Sequence, residues 1–517
     1  MNADYDYVIV GAGSAGSVLA ARLSEDPDVR VALLEAGPVD DSPQIEVPVA
    51  FPQLFKTDLD WDYASEPEPA LEGRRLYIAR GKVLGGSSSL NAMVYIRGNR
   101  ADYDGWAAGG ATGWSYDDVL PYFIRSEANE RGASKFHGGS GPLLVQESRS
   151  QHPLTDRIID ALLQAGHSRN EDFNGASQLG VGRFQLTQRN GKRWSAAAAY
   201  LRPNGGRPNL EVITDATVLR VVLERSRAVG VEVHQGGTSH VIRADREVIL
   251  SAGTYNSPKL LMLSGIGRAA GLAALGIAPV VDLPVGEQLQ DHPGIVLSYL
   301  TDVPTLFRAG TAEDLASFQQ SGRGPLTSNV GEGGGFFKTD PSRELPDAGF
   351  HFGPAMLDAE LLSPPSDDAY SLVVQAVKPT SRGVVTLRSA RPDAKPRILN
   401  NLLTTEEDRS SLIRGVQHTI DVVHMPALAE ITRGPHLAPA SRRDTDVWRF
   451  IQRHAIPFFH PTSTCGIGRV VDSRLRVLGL EQLRVVDASV MPTVVRGNTN
   501  APVIAIAEKA ADLIREG

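Results

Sequence analysis

The stretch YDYVIVGAGSAGSVLAARLSEDPDVRVALLEAG, residues 5–37, leaves little freedom in how the chain can begin to fold. Asp6 to Val10 lead into a run of β-branched residues, the pattern of a buried strand. Gly11, Gly13 and Gly16 then give G-x-G-x-x-G around Ser14 and Ala15, and Ser17 to Leu23 carry the small and apolar spacing of a closely packed helix. A second strand, Val29 to Leu34, ends on Glu35, 19 residues beyond Gly16, with Ala36 following. Each part has a mechanical reason. The first glycine makes the strand-to-helix turn, the second lets backbone N–H groups approach a pyrophosphate, and the third lets the helix pack on the strand. Unpaired N–H groups and the dipole at the helix start favour phosphate, and Glu35 suits a ribose. A lone glycine motif is often only a loop, but strand, turn, helix, strand and acid in order point to a bound dinucleotide. This stretch does not choose between NAD and FAD.

At 517 residues the chain exceeds one ordinary core, so two or more domains are expected. A net charge of −8 and a pI of about 5.9 argue against a nucleic-acid partner, which needs a basic face. No run of residues is long and apolar enough for a membrane span. With no export signal visible and one cysteine, Cys465, the expectation is a cytoplasmic protein without an internal disulfide or a cysteine-built metal site. No metal is expected.

Beyond Glu35, residues 36–72 form a long Pro- and Asp-rich excursion carrying Trp61 and Tyr63, expected to lie over the nucleotide site. Gly85-Gly86 and Ser87 to Ser89 offer free N–H groups and hydroxyls suited to a second phosphate contact, although a serine-rich turn alone would be unremarkable. Helices are expected at Tyr116 to Ser126, Ser150 to Gly166 and Arg193 to Leu201, a β-meander from Leu210 to Val233, and a further strand-to-helix crossover at Glu247 to Gly265. From about Gly294 to Phe450 short alternating runs read as an antiparallel sheet, with helices at Ala312 to Ser321 and Thr405 to Val423. Val485-Val486-Asp487 reads as a late strand, and a helix from about Ala501 to Arg515 closes the chain. The expected fold is mixed α/β and α+β: a discontinuous Rossmann-like nucleotide-binding domain (1–148, 194–294 and 455–517) with an inserted sheet-plus-helices substrate domain (149–193 and 295–454).

Four blocks in this order resemble the glucose–methanol–choline family of FAD-dependent oxidoreductases, nearly end to end. They are the opening fingerprint with Glu35; Gly81-Lys82-Val83-Leu84-Gly85-Gly86-Ser87-Ser88 through Asn91; Gly253-Thr254 with Ser257-Pro258 and Ser264-Gly265-Ile266-Gly267; and HPTSTCGIG from His460 with VVDASVMP and GNTNAP. The resemblance is closest to aryl and furfuryl alcohol oxidases and choline dehydrogenase-like members. It implies FAD rather than NAD. Trp61, Arg80, Gly81, Val83 and Gly85 to Ser87 would then lie along the cofactor, and Asn91, Ala92, Met93 and Val94 would touch the flavin. Val218 would hold the adenine, and Gly253, Asp487, Ala488, Asn500, Ala501 and Pro502 would complete the site. Where some members carry a flavin-linking histidine, before the signature asparagine, this chain has Leu90, so a non-covalent flavin is expected.

The resemblance makes His460 the catalytic base and assigns it a partner on the final segment, taken as Asn500, 40 residues on. An imidazole accepts a proton near neutral pH, and a side-chain amide orients a substrate oxygen without competing for it. A histidine beside a proline is otherwise more often structural, as His292 in a turn and His454 are expected to be. Phe458 and Phe459 are candidate substrate contacts or, equally, core residues. The leading expectation is oxidation of a primary alcohol, aryl or furfuryl, on through the hydrated aldehyde where that applies, with O2 or a quinone as acceptor. Alternatives are a choline-type or aliphatic alcohol, a non-redox lyase or light-driven decarboxylase, a flavin-binding protein without turnover, and an NAD-dependent dehydrogenase.

Overall fold

The computed structural model describes residues 4–517. The opening strand, Tyr5–Val10, lies in the middle of a parallel sheet in the order Leu210–Ile213, Val31–Leu34, Tyr5–Val10, Thr238–Leu250 and Leu483–Val485. Its inner residues Val8, Ile9 and Val10 are apolar and buried, with helix Ser14–Leu23 packed on Tyr5–Val10 and Val31–Leu34, and that burial selects the continuous β-branched runs seen in the sequence. Thr238–Leu250 does two jobs. Its second half pairs in the parallel sheet, and its first half continues into an antiparallel meander with Arg227–Gln235 and Thr217–Glu224. Helix Ser14–Leu23 packs against the closing helix Asn500–Arg515. The two are joined where Arg22 meets the buried Glu508 at 2.9 Å.

The second sheet is antiparallel, ordered Thr432–Leu437, Pro293–Thr301, Ala369–Ala376, Ala348–Gly353, Gly333–Phe337 and Gly180–Arg183, with Ile456–Pro457 beside Pro293. Alternation decides its two faces. Ile295, Leu297, Leu372 and Val374 join Phe350 in a core under helices Pro153–Gln164, Glu406–Val423 and Asp444–His454. Val296, His351, Ser371 and Val373 face the opposite way, toward the first domain. The segment 383–399, inside the span expected for the inserted unit, instead packs Val385, Leu387 and Ile398 into the nucleotide-side core.

The expected helices Tyr116–Ser126 and Ala312–Ser321 form with those bounds. Arg193 to Leu201 is not an ordinary α-helix: only Ala197–Leu201 is helical, as one wide π turn. Residues 36–72 form no long regular element. A 3-10 turn, Pro48–Leu54, carries Phe51 over the gap between the two domains.

Candidate active site

All the parallel strands end at one crevice. Gly11, Glu35, Gly253 and Asp487 stand at or just past the carboxyl ends of their strands and line a single cleft between the two sheets. The cleft encloses about 2540 Å³ with its open mouth included. Its lining runs from Gly11 and Glu35 at one end to Phe458 and His460 at the other, so a nucleotide arm and a second arm share one cleft.

The nucleotide arm has a backbone wall. Gly13 precedes helix Ser14–Leu23 with no side-chain cap, so the helix start presents free N–H groups. The two glycine turns abut: a Cβ on Gly86 would lie 2.7 Å from the Cα of Gly13, and Gly86 has φ +53°. A Cβ on Gly16 would lie 1.9 Å from the carbonyl of Gly11. Only hydrogen fits at either place, which leaves a cradle of bare backbone suited to a pyrophosphate. Glu35 accepts from the N–H groups of Ala12 and Gly37 at 2.9 Å each. Burial nevertheless raises its pKa to about 7. Asp487 accepts from Gly253 N–H at 3.0 Å and from the Ser257 hydroxyl, tying the end of strand Thr238–Leu250 to that of Leu483–Val485.

Of the residues expected at the cofactor, Gly11, Gly13, Ser14, Ala15, Glu35, Ala36, Trp61, Arg80, Gly81, Gly86, Ser87, Asn91, Ala92, Met93, Val94, Val218, Gly253, Asp487, Ala488 and Asn500 line the cleft. Gly16, Val83, Gly85, Ala501 and Pro502 do not, and act from behind it. Val83 is a core residue packed with Ile45, Leu54 and Leu90. Gly85, at φ +85°, donates its N–H to Ala12 O and so holds the two glycine turns together. Ala501 and Pro502 form the buried first turn of the last helix.

In the other arm His460 is 8% exposed, and its backbone N–H donates to Asp291 Oδ1 at 2.8 Å. Its Nδ1 lies 3.0 Å from Nδ1 of His292, whose Nε2 lies 3.0 Å from the carbonyl of Val495. These contacts assign the protons. A carbonyl only accepts, so His292 carries its hydrogen on Nε2. Burial, reinforced by Lys378, holds the His292 pKa near 3, so the ring is neutral and its Nδ1 is a lone pair. The hydrogen between the rings therefore belongs to His460 Nδ1, and His460 Nε2 carries the lone pair on the cleft side, where it accepts from the Asn498 amide and an alcohol must share or displace that contact to give up its proton. Burial, with His292, His351 and Arg80 adding to it, keeps His460 well below the ordinary imidazole range, so it is unprotonated at neutral pH.

The side chain that meets His460 Nε2 is Asn498, whose Nδ2 lies 3.1 Å away. Asn500 does not fill that place: its Oδ1 accepts from the Ser14 hydroxyl at 2.6 Å, at the phosphate end. The reason is local. The helix begins at Asn500, so Asn498 lies outside it on the preceding loop while Asn500 turns with the first helical residues. His292 is likewise no mere turn residue. His454 does behave structurally, its ring tilted against Phe450 with centroids 4.7 Å apart.

Phe458 and Phe459 both line the cleft. Phe458 lies 5.4 Å from the His460 ring and 5.0 Å from His351. Phe459, at φ +61°, faces Phe55 at 6.1 Å, and its carbonyl accepts from Arg80. Phe51, Pro52, Val330, Leu357 and Val373 complete an apolar wall. His351 adds a second imidazole: Gln375 sits 3.2 Å from its Nδ1, and burial lowers its pKa to about 4. Glu332, Asp347, Asp358 and Glu360 of the second domain stay outside. Glu332 takes Ser150, Thr155 and Ser328, Asp347 takes Thr339 and Ser411, Asp358 takes backbone N–H groups, and Glu360 approaches Arg74. Cys465 is buried and its thiol pKa is raised by burial, the condition of a packing residue. Among the described residues no cluster of His, Cys, Asp and Glu is suited to a metal, and no helix is long and apolar enough to cross a membrane.

Asn498, His292 and His351 were not identified from the sequence. Asn498 lies inside the quoted GNTNAP block, so a signal for it existed; nothing local marks the other two.

Two family models described as GMC oxidoreductase match residues 5–294 and 379–507. Human mitochondrial choline dehydrogenase is 44% identical over 99% of this chain and 90% of its own length. An alcohol dehydrogenase [acceptor] of Pseudomonas putida is 43% identical over 99% of this chain and 95% of its own. Among solved structures, pyridoxine 4-oxidase from Mesorbium loti superposes with a TM-score of 0.92 at 34% identity, covering 99% of this chain and 100% of that one. With the fingerprint, the crevice and the buried histidine in place, the chain belongs to the GMC oxidoreductase family and is an FAD-dependent oxidoreductase acting on alcohols.

Proposed function

We propose that this protein oxidises a primary alcohol with an apolar body, aryl or furfuryl alcohols first, to the aldehyde. The observation that carries the reading is the proton assignment around His460: a neutral, buried imidazole whose Nε2 lone pair is held toward the cleft by His292. That atom takes the hydroxyl proton as general base. Asn498 has a second N–H beyond the one shared with His460, and it orients the substrate oxygen. Phe458 and Phe459 hold the substrate body and exclude water. FAD, when bound along Gly11–Glu35, Gly81–Ser87 and Asn91–Val94, supplies the hydride acceptor, and the residue before Asn91 is Leu90, which offers no nucleophile for a covalent link.

The apolar substrate rests on the lining. The carboxylates that reach the cleft are Glu35, Asp393 and Asp487, and Glu35 and Asp487 stand at nucleotide-arm strand ends, while Asp393 lies beside Lys259 and Pro392. A choline-type substrate is the second reading, favoured by the ring faces of Phe51, Phe55 and Phe459, which could cage a quaternary ammonium without an anion.

The test is anaerobic mixing of the yellow protein with an aryl alcohol, an aliphatic alcohol and choline while the flavin absorbance is followed. Bleaching by the aryl or aliphatic alcohol supports the reading, and bleaching by choline alone replaces it with the second. Peroxide on admitting air would assign O2 as acceptor, and its absence with turnover on a quinone would assign the quinone. A flavin that no alcohol bleaches would refute alcohol oxidation.

A further inference from the structure

Arg193 is a buried cation with no anion beside it. Its side chain is 5% exposed, yet among the described residues it makes no ion pair. The other large buried arginines are paired: Arg97 meets Glu127 at 2.7 Å, and Arg484 meets Glu247 at 2.6 Å. Arg193 instead donates to oxygens of the peptide chain and of one amide. Nε reaches Ile45 O at 2.9 Å, and Nη1 reaches Ser88 O at 3.2 Å, Asn91 O at 2.6 Å and Asn91 Oδ1 at 3.0 Å. Nη2 is buried without a partner. Desolvation alone pulls its pKa down to about 9, so at neutral pH the charge remains. A guanidinium buried at such cost, with no carboxylate to offset it, calls for a role beyond packing.

The role lies in what its partner is left free to do. Asn91 Oδ1 accepts from Arg193 and also from the N–H of Met93 at 2.9 Å, so both its lone pairs are engaged. Rotating the amide by half a turn would set its NH2 against two donors. Nδ2 therefore points away from both, has no protein partner among the described residues, and belongs to a residue that lines the cleft. A cation on the oxygen also draws charge from the nitrogen, which makes the N–H a stronger donor.

We propose that Arg193 is a positioning residue that commits the Asn91 amide to donate from Nδ2 into the cleft, onto the ring of the bound flavin. The proposal rests on the assignment of this cleft to FAD. The ring gains negative charge on two-electron reduction, so a fixed and polarised donor favours the reduced form, and Arg193 raises the flavin midpoint potential through Asn91.

The experiment measures that potential by dye equilibration on the purified flavin-loaded protein, together with FAD affinity. Arg193→Met should lower the potential by about 30 mV or more, a tenfold shift for a two-electron couple. Asn91→Ala should lower it comparably, and Arg193→Met should add little in the Asn91→Ala background. A native potential in Arg193→Met overturns the inference, and so do drops that simply add. Should Arg193→Met fail to fold, Arg193→Lys serves. Its single ammonium cannot reach Ile45, Ser88 and Asn91 together, so a smaller drop that vanishes in Asn91→Ala is expected, and one that persists overturns the inference. Wild-type protein that takes up no FAD would overturn the cofactor assignment, and this inference with it.

Discussion

Replacing His292 with leucine tests the proton assignment without touching the substrate. His292 does not line the cleft; it stands behind His460 and receives the Nδ1–H at 3.0 Å. In His292→Leu that donor is buried with no acceptor, and an unsatisfied buried N–H costs roughly 1–3 kcal/mol. His460 escapes the cost by carrying its hydrogen on Nε2 instead, where the ring can no longer accept the substrate proton. The productive tautomer then becomes the minor one. At about 1.4 kcal/mol per tenfold, the chemical step should slow by roughly 10- to 100-fold. The imidazolium formed on proton uptake also loses its acceptor, which acts in the same direction. The assay is anaerobic stopped-flow reduction at saturating alcohol, with flavin content checked by absorbance. FAD binding should be unchanged, and the loss should fall on the limiting reduction rate rather than on the substrate concentration needed. His292→Gln, whose side-chain oxygen can still accept from Nδ1–H, should recover part of the rate. Full-speed reduction in His292→Leu would refute the argument, because the Val495–His292–His460 chain would then not set where the proton sits.

His460→Ala should retain flavin and reduce it about 10²–10⁴-fold more slowly in the same assay, the range of a lost general base. Asn498→Ala should lose up to about 2.7–4 kcal/mol of transition-state stabilisation, whereas Asn500→Ala should show its main effect as weaker FAD retention through Ser14. Gly86→Ala places a Cβ 2.7 Å from Gly13 Cα and should yield protein with little or no bound flavin, read from the absorbance ratio. His137 carries a pH prediction. Burial opposes its charge, but contacts to Asp172 at 3.0 Å and Glu127 at 3.1 Å outweigh it and raise the pKa from 6.5 to about 9. Its stabilisation is therefore complete below pH 6.5 and lost as pH rises through about 9. Discounted for the solvent-facing side, that is on the order of 1–2 kcal/mol, and thermal melts of His137→Gln should lose this pH dependence.

The residues legible in the sequence are those whose role is written into the local backbone. Gly11 and Gly16 could be read because a tight turn and a helix packed at contact distance each exclude a side chain at a fixed offset, and Gly13 because a phosphate needs bare backbone at the helix start. The physical constraint and the sequence spacing are the same fact. The strands ending at Glu35, Gly253 and Asp487 followed for the same reason, since all end at one crevice. Asn498 shows where this legibility stops. The motif located the partner segment to within two residues, but the chain passes from loop to helix between Asn498 and Asn500, and that change sends one amide to His460 and the other to Ser14. No spacing rule separates them without knowing where the helix starts. His292 and His351 are further out of reach. Each comes from a part of the second sheet that abuts the first domain only after folding: His292 immediately before strand Pro293–Thr301, and His351 on Ala348–Gly353 opposite Val373. Arg193 is the extreme case, because in the sequence it only opens an expected helix, and nothing there shows that folding removes its solvent and leaves no carboxylate beside it. The cleft was legible where backbone must meet phosphate, and not where side chains from distant strands must meet one another. That second set decides the protonation of His460 and the direction of Asn91, so the chemistry of this site is specified by tertiary register more than by motif.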